Sequence, residues 1–284
     1  MDQTIAIITP AFKAQATIAA AMRSVLAQTY PHWELWLIAD DGFDYEASLA
    51  AAGIRDSRIR FVSSGGTGRG ACIARNVALD RMATPYAAVL DADDRLKPRK
   101  LEQVAAALAD HGIVSTALDV MTEDFRHLRH VGHGADRVLS AGTHKWVNLS
   151  GDTMIAWDRR RADGRYDPAM VNMTDLEFLL QLYRTVPASR HLGTPLHDYI
   201  KRAQSMSNGS NVTAGMIASK TEILRRLDTG RYGLPAAEVD GVAAFLRISL
   251  EAEARYPAAL AARPGLLFED HLQPMLEAAG RGLP

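Results

Sequence analysis

Three acidic residues, Asp91, Asp93 and Asp94, directly follow the apolar run from Tyr86 to Leu90. A short apolar run of this kind predicts a buried strand of an α/β sheet, and ligands of open α/β sheets bind beyond the carboxyl ends of the strands. Closely spaced carboxylates repel one another unless a cation or hydrogen-bond donors neutralise them. Oxygen ligands suit Mg²⁺ or Mn²⁺, and Mg²⁺ is often held by one or two carboxylates together with substrate phosphates. The pattern indicates a metal-assisted phosphate-ester site, although an acidic turn before a helix near Lys97-Pro98 explains the same residues without any chemistry.

Other acidic residues are predicted to lie beside the same cleft. Asp40 and Asp41 end a second predicted strand, so they fall at the same edge of the sheet. Asp175 lies in Thr174-Asp175-Leu176-Glu177, which fits a capping box with Thr174 as the N-cap and Glu177 at the third helical position. In that interpretation Asp175 only favours the helix dipole. The same geometry also suits a general base at a helix N-terminus beside the cleft.

Histidines and basic residues form two more candidate groups. His127, His130 and His133 recur every three residues, which is conceivable for a zinc site, but no cysteine or second ligand pair accompanies them. A solvated loop is the simpler interpretation. Lys201 and Arg202 begin a polar, basic segment and are either ordinary surface charges or a clamp for a diphosphate.

A glycine-rich stretch runs from Ser63 to Gly70. A dinucleotide-binding fingerprint should follow the first strand and read G-x-G-x-x-G, whereas this stretch follows the third strand and Ala71 breaks the spacing. A phosphate-binding G-x-x-x-x-G-K-[ST] motif is absent from the sequence. We expect a flexible loop here, with contact between its backbone and a phosphate as the alternative.

The elements that position these residues alternate between strand and helix, which is typical of a right-handed, mostly parallel sheet flanked by helices. Strands are predicted at Thr4–Thr9, Trp33–Ala39, Arg58–Val62, Tyr86–Leu90, Ile113–Met121, Met154–Trp157 and Leu196–Ile200, and helices at Thr17–Gln28, Ala71–Met82, Leu101–Leu108 and Thr174–Tyr183. A long loop is expected from Thr122 to Gly151. Helical patterns then cover Met216–Leu227, Ala236–Ala254 and Leu267–Ala279. We therefore predict a sheet domain over residues 1–212 and a helical C-terminal appendage over residues 213–284.

Composition excludes several function classes. The chain has 284 residues, 48% hydrophobic and 23% charged, and a formal net charge of −1, which argues against a nucleic-acid partner. Its single cysteine, Cys72, fits a reducing compartment. The N-terminus lacks the layout of a signal peptide, and no apolar run is long enough to cross a bilayer. We expect a cytoplasmic protein.

Taken together and in order, these segments resemble the inverting glycosyltransferases of family 2, which have the GT-A fold. The resemblance covers roughly Thr4 to Ser207. It is carried by Ile7-Ile8-Thr9-Pro10-Ala11-Phe12, Ser24 to Tyr30, Trp33-Glu34-Leu35, Asp40-Asp41-Gly42, Gly70 to Asn76, and Leu90 to Asp94. The sequence departs from the family pattern at Lys13, where Asn is usual, at Phe43, where Ser is common, and at Thr174, where an acid is frequent. The basic loop also lacks its usual His.

The resemblance implies a role for each matching residue. The nucleotide-sugar site is expected to comprise Thr9, Pro10, Ala11, Phe12, Asp41, Arg75, Asp91, Ala92, Lys201 and Arg202. Within it, Asp41 would accept from the imide of a uracil-type base, and Lys201 with Arg202 would close over the diphosphate. Asp93 and Asp94 are the expected metal ligands, and Asp175 is the expected catalytic base.

The implied activity is transfer of a sugar from a nucleotide-diphosphate donor, expected to be a UDP-sugar, to an acceptor hydroxyl, with inversion and with help from Mn²⁺ or Mg²⁺. The acceptor would be a glycan, a lipid-linked molecule or another hydroxyl compound. The C-terminal helices are candidates for a homodimer interface or for peripheral contact with the inner face of the membrane. Two alternatives stay open: an inactive module that binds a nucleotide sugar, and a nucleotidyltransferase, whose glycine-rich loop should directly follow the first strand.

Overall fold

The computed structural model describes residues 3–149, 154–202 and 212–279. Its strands are β1 (Ile5–Ala11), β2 (Trp33–Ala39), β3 (Ile59–Ser63), β4 (Tyr86–Val89), β5 (Arg95–Leu96), β6 (Ile113–Thr122), β7 (His127–Val131), β8 (Arg137–Leu139), β9 (Ile155–Asp158) and β10 (Ser189–Lys201). Its helices are α1 (Ile18–Leu26), α2 (Tyr45–Ala51), α3 (Ala71–Arg81), α4 (Lys100–Asp110), α5 (Ala141–Val147), α6 (Thr174–Leu182), α7 (Val212–Asp228), α8 (Ala236–Ala262) and α9 (Phe268–Ala278).

The strands form one sheet in the order β3-β2-β1-β4-β9-β6-β10-β5, with β7 paired to β6 and β8 paired to β10. The half from β3 to β4 is parallel, as predicted. The other half is mixed, because β9 lies antiparallel to both β4 and β6. Because β9 is antiparallel to both of its neighbours, β6 runs in the same direction as β4. Strand β10 in turn runs parallel to β6. The carboxyl ends of β1, β2, β4, β6 and β10 therefore meet at one edge.

Both faces of the central strands are buried, which explains their uninterrupted apolar runs. In β1, Ile5 and Ile7 pack into a core beneath α1, α2 and α4, whereas Ala6 and Ile8 pack into a second core beneath α3 and α6. This second core also includes residues of α5, α7, α8 and α9. The C-terminal helices therefore share a hydrophobic core with the sheet.

The segment expected to be a long loop, Thr122 to Gly151, contains two strands and a helix, so that prediction was wrong. The strand β7 contains His127 and His130, which are not in a solvated loop. The sequence of β7 is mostly polar, so it does not predict a strand, and pairing to β6 holds the strand in place. Helix α5 packs closely on α8: a Cβ built on Gly241 would lie 2.5 Å from the carbonyl oxygen of Gly142. Tertiary contacts, and not local periodicity, order this region.

Among the described residues, no helix combines the length and the apolarity that crossing a bilayer requires.

Candidate active site

Arg75 joins two acidic residues that are far apart in the sequence. It lies in the second turn of α3, and its guanidinium donates to Asp175 Oδ1 through Nη1 and to Asp91 Oδ1 through Nη2, both at 2.8 Å. The Arg75 side chain is 4% exposed. Burial by itself would lower the pKa of Arg75, but the charges of Asp175 and Asp91 outweigh it and raise that pKa. A buried cation thus fixes the start of α6 against the residues that follow β4.

The acidic residues after β4 point in different directions. Asp91 and Asp93 lie at the carboxyl edge of the sheet and are partly exposed, with the Asp91 side chain 29% exposed. Burial and the nearby charge of Asp91 raise the pKa of Asp93 to about 6. Asp94, in contrast, points inward: its Oδ1 accepts from the backbone N–H of Ile200 at 2.8 Å, and its Oδ2 lies 3.1 Å from His197 Nε2. Both Asp94 oxygens therefore have protein partners.

Behind Asp94 is a buried polar chain that sequence reasoning missed. Lys100 Nζ lies 2.7 Å from His197 Nδ1, and the other nitrogen of that ring faces Asp94. Burial lowers the pKa of Lys100 to about 7, although the charge of Asp94 opposes this. Burial also raises the pKa of Asp94, and repulsion from Asp91 and Asp93 adds to the rise. This chain ties α4 to β10 and holds the last turn of the acidic segment in place.

The predicted nucleobase side contains Asp41, whose carboxylate fixes the turn after β1. Asp41 Oδ2 accepts from the backbone N–H of Lys13 at 2.6 Å and from the Tyr45 hydroxyl at 2.9 Å, and Oδ1 accepts from the backbone N–H of Phe43 at 3.1 Å. Burial acts to raise the pKa of Asp41, but these donors outweigh it and lower the pKa. Lys13 has a φ of 53°, in the left-handed region. The bond from its N–H to Asp41 supports this uncommon conformation.

The four residues Thr9 to Phe12 are not equally placed for binding. The side chains of Thr9 and Ala11 are fully buried in the sheet, whereas Pro10 is half-buried and the ring of Phe12 is 48% exposed. Ala92 is buried beside the acidic residues. Only Pro10 and Phe12 can therefore present side chains to a ligand, and the others act through the backbone or through packing.

The carboxylate of Asp40 binds the glycine-rich stretch. This buried carboxylate accepts from Ser64 Oγ at 2.6 Å and from the backbone N–H groups of Arg69 and Gly70 at 3.1 and 2.8 Å. Gly68 has a φ of 66°, which an L side chain rarely adopts, and a Cβ there would lie 3.9 Å from the ring of Phe12. The stretch forms a wall beside Phe12. The sequence does not show that Asp40 points into this loop.

The predicted capping box at Asp175 is not present. Helix α6 begins at Thr174, and its N-cap is Met173, which has a φ of 56° and provides no side-chain cap. Glu177 is fully buried and pairs with Arg226 of α7 at 3.0 Å. The ion pair draws Glu177 away from the helix terminus. Asp175 stays at the crevice, with its side chain 21% exposed.

The two basic residues at the end of β10 have different partners. Lys201 Nζ lies 3.0 Å from both carboxylate oxygens of Glu269 in α9, and the two side chains are 10% and 9% exposed. Arg202 is 3.9 Å from Glu123, and its charge partly offsets the raised pKa of Asp93. Arg202 thus faces the acidic segment, whereas Lys201 joins α9 to the sheet. The rest of the predicted basic loop lies outside the described residues.

Comparison with known proteins assigns the chain to a family. The family model described as Glycosyl transferase family 2 matches residues 6–162. This range includes Asp41, Arg75, Asp91 and Asp93, and it ends before Asp175.

Two curated relatives are named as sugar transferases. The chain is 36% identical over 112 residues to the Escherichia coli UDP-Glc:alpha-D-GlcNAc-diphosphoundecaprenol beta-1,3-glucosyltransferase WfgD. The aligned region covers 39% of this chain and 44% of that protein. The chain is also 37% identical over 100 residues to the putative teichuronic acid biosynthesis glycosyltransferase TuaG of Bacillus subtilis. That aligned region covers 35% of this chain and 39% of TuaG. The matched region spans less than half of either relative.

Solved structures share the fold at low sequence identity. Residues 1–349 of Staphylococcus aureus TarS in complex with UDP-GlcNAc superpose with a TM-score of 0.68 at 15% identity, covering 97% of this chain and 79% of that one. The mannosyltransferase PcManGT of Pyrobaculum calidifontis, in complex with GDP-Man and Mn²⁺, gives a TM-score of 0.59 at 16% identity, covering 98% and 86%. These likenesses confirm the predicted GT-A fold class.

Proposed function

The chain belongs to glycosyl transferase family 2, and on that premise we propose that it transfers a sugar from a UDP-sugar to an acceptor hydroxyl, with inversion at the anomeric carbon. The observation that carries the proposal is the double ion pair of Arg75. It brings Asp91, on the expected donor side, and Asp175, the expected base, to one guanidinium with 2.8 Å contacts. An inverting transfer needs its donor site and its base on opposite sides of one reacting carbon, so a rigid link between them is the required positioning device.

A uridine nucleotide suits the pocket beside Phe12. Asp41 Oδ1 accepts one backbone N–H, and a carboxylate oxygen has two acceptor sites, so it can also accept the imide N–H of uracil. The exposed ring of Phe12 offers a face for base stacking. Among the relatives, WfgD is named for UDP-Glc, which supports a UDP-sugar donor.

The acidic segment suits a divalent cation, with Asp93 as the proposed ligand and Asp91 beside it. Burial and the charge of Asp91 raise the pKa of Asp93 to about 6, and a bound cation would oppose both effects. Asp94 is left out of the ligand set because both of its oxygens are engaged within the protein. An all-oxygen donor set favours Mn²⁺ or Mg²⁺. When bound, the cation would stabilise the negative charge of the leaving diphosphate.

Asp175 is the proposed general base. Arg75 holds its Oδ1, which fixes the carboxylate at the N-terminus of α6 beside the crevice. From there Asp175 takes the proton of the acceptor hydroxyl as the oxygen forms its bond to the anomeric carbon, and the nucleoside diphosphate leaves from the opposite face. A positioned general base typically contributes about 10²–10⁴-fold in rate.

We further propose a lipid-linked saccharide as the acceptor class. The support is the name of WfgD, which specifies a sugar on diphosphoundecaprenol, and the name of TuaG, which refers to a cell-surface polysaccharide. Such an acceptor would bring the protein to the cytoplasmic face of a membrane. Its site would be formed by residues 122–172 together with the C-terminal helices.

The test uses the purified full chain, a panel of UDP-sugars with Mn²⁺, and release of UDP as the readout. Asp175→Asn should reduce the rate by at least about 100-fold, whereas the matched control Asp163→Asn, at an exposed residue bonded to its neighbour Gly164, should not. Wild-type transfer by Asp175→Asn would reject the base assignment, and full activity in excess EDTA would reject the metal.

A second comparison separates Asp93 from Asp94. Asp93→Asn should raise the Mn²⁺ concentration needed for half-maximal activity, whereas Asp94→Asn should lower stability and leave that concentration unchanged. The alternatives also have their own signatures. An inactive binding module would be stabilised by a UDP-sugar without releasing UDP, and a nucleotidyltransferase would release pyrophosphate from UTP and a sugar 1-phosphate.

A further inference from the structure

Two histidines of β7 and one aspartate of β6 place their donor atoms around one point. Asp119 Oδ1, His127 Nε2 and His130 Nδ1 all lie within 4.8 Å of one another. Asp119 Oδ1 is 3.2 Å from His127 Nε2, and His130 Nδ1 is closer still. Zinc binds nitrogen and oxygen ligands at about 2.0–2.2 Å, so ligand atoms on one ion are separated by roughly 3 Å. Of the two separations from Asp119 Oδ1, only that of His127 Nε2 is close to this value, but all three donors converge on one point, as ligands of one metal ion must.

A β-bulge creates this convergence. Residues three apart on a regular strand face opposite sides of the sheet, because side chains alternate. Here Asp119 pairs with His130 and Met121 pairs with His127, with a register shift between Val120 and Met121. The extra residue in β7 returns His127 to the face that carries His130 and Asp119. Bulges commonly re-aim side chains in this way.

The carboxylate is held by its own partners, as ligating carboxylates usually are. The Asp119 side chain is 9% exposed, and its second oxygen, Oδ2, accepts from Lys97 Nζ. Lys97 also lies 3.4 Å from Asp198 Oδ1, so its charge is balanced by a second carboxylate. Asp119 Oδ2 is thus held by Lys97, and Oδ1 is directed at the two histidines.

The histidine rings are accessible from solvent. The side chains of His127 and His130 are 42% and 49% exposed, which leaves an open approach for an ion and for water ligands. The ring of His133 stacks on that of His130, with centroids 5.0 Å apart, and so supports its orientation.

We propose that Asp119, His127 and His130 form a second metal site, for a transition metal such as Zn²⁺. Two imidazole nitrogens and one carboxylate oxygen favour zinc and its neighbours, whereas the all-oxygen segment after β4 favours Mn²⁺ or Mg²⁺. The site bridges β6 and β7 next to the turn that carries Glu123, the partner of Arg202. A metal here would fasten that hairpin at the edge of the crevice. This proposal does not depend on the proposed transferase activity.

The experiment measures metal binding by the untagged full chain. Zinc affinity and stoichiometry come from competition with a chromophoric chelator, and visible absorption after Co²⁺ addition reports nitrogen coordination. We expect one Zn²⁺ per chain at this site, and a loss of at least about 100-fold in affinity in His127→Ala/His130→Ala. The matched control His111→Ala, a half-exposed histidine at the end of α4, should bind as the wild type does.

Further controls test whether the double variant is folded and whether the proposed Asp93 metal site contributes to zinc binding. The replaced histidines are exposed, so circular dichroism should show a folded double variant, and Zn²⁺ should raise the melting temperature of the wild type but not of this variant. Asp93→Asn should keep its zinc affinity. The proposal is overturned if the double variant binds Zn²⁺ as tightly as the wild type, if the cobalt spectrum survives the double substitution, or if zinc affinity depends on Asp93.

Discussion

Replacing Arg75 with Met tests the central ion pairs of the site. Methionine keeps the apolar length of the side chain but removes both hydrogen bonds, to Asp91 and to Asp175. It also removes the contact of the guanidinium with the ring of Tyr166, which lies 5.0 Å away. The carboxylates of Asp91 and Asp175 would then repel each other with no cation between them.

The expected loss of stability follows from the burial of the partners. Breaking a buried ion pair from one side typically costs about 3–5 kcal/mol, because a charge is left without compensation. Here the stranded side chains of Asp91 and Asp175 are 29% and 21% exposed, so water can partly rehydrate them. We therefore expect the lower end, about 3 kcal/mol, and a urea midpoint lower by about 1 M.

The assay is urea unfolding, together with UDP release measured well below the midpoint of the variant. The matched control is Arg81→Met on the exposed face of the same helix, which should change the free energy of unfolding by less than about 0.5 kcal/mol. A double-mutant cycle of Arg75→Met with Asp175→Asn should give a coupling energy above about 1 kcal/mol, because the two groups are in contact. A cost below about 1 kcal/mol for Arg75→Met, with an unchanged rate, would refute this reasoning.

Three other predictions concern the basic residues, the cysteine and acid stability. Arg202→Met should raise the KM for the UDP-sugar, whereas Lys201→Met should mainly lower the urea midpoint, because Lys201 is bound to Glu269; the opposite pattern would contradict this assignment. Burial raises the pKa of Cys72 to about 11, so iodoacetamide at pH 8 should alkylate the folded chain at least about 100-fold more slowly than the urea-unfolded chain, and equal rates would contradict the burial. Burial acts to raise the pKa of Asp158, but bonds from Arg160 lower it, so its contribution to stability is present above about pH 3.9 and is lost as the pH falls through the folded pKa. In an acid titration followed by circular dichroism, Asp158→Asn should therefore lose stability less steeply below pH 4 than the wild type, and parallel curves would contradict it.

The sequence by itself determined the parallel half of the sheet and the family. Strands buried on both faces need uninterrupted apolar runs, and the amphipathic helices between them need one apolar stripe. The local pattern of apolar residues therefore predicts both kinds of element. The ordered segments from Ile7 to Asp94 then identified a glycosyltransferase of family 2. The same periodicity predicted α7, α8 and α9, although α8 extends to Ala262, beyond the predicted end.

Tertiary structure decided which charged residues face the crevice. Asp93 and Asp94 are adjacent and identical in type, yet Asp94 turns inward because Ile200 and His197, more than 100 residues later, offer it partners. Lys201 and Arg202 divide in the same way, since only Lys201 is within reach of Glu269. No local signal distinguishes such neighbours, because the free energy of burying a charge depends on partners that only the fold supplies.

Backbone irregularities were also beyond the sequence. The histidines of β7 share a face with Asp119 only because of a bulge, and the carboxylate of Asp40 accepts backbone N–H groups of the glycine-rich stretch. A strand period or a glycine count cannot report either feature, since both depend on the register between segments distant in the chain. Residue types fix which chemistry is available, and long-range pairing decides where each group points.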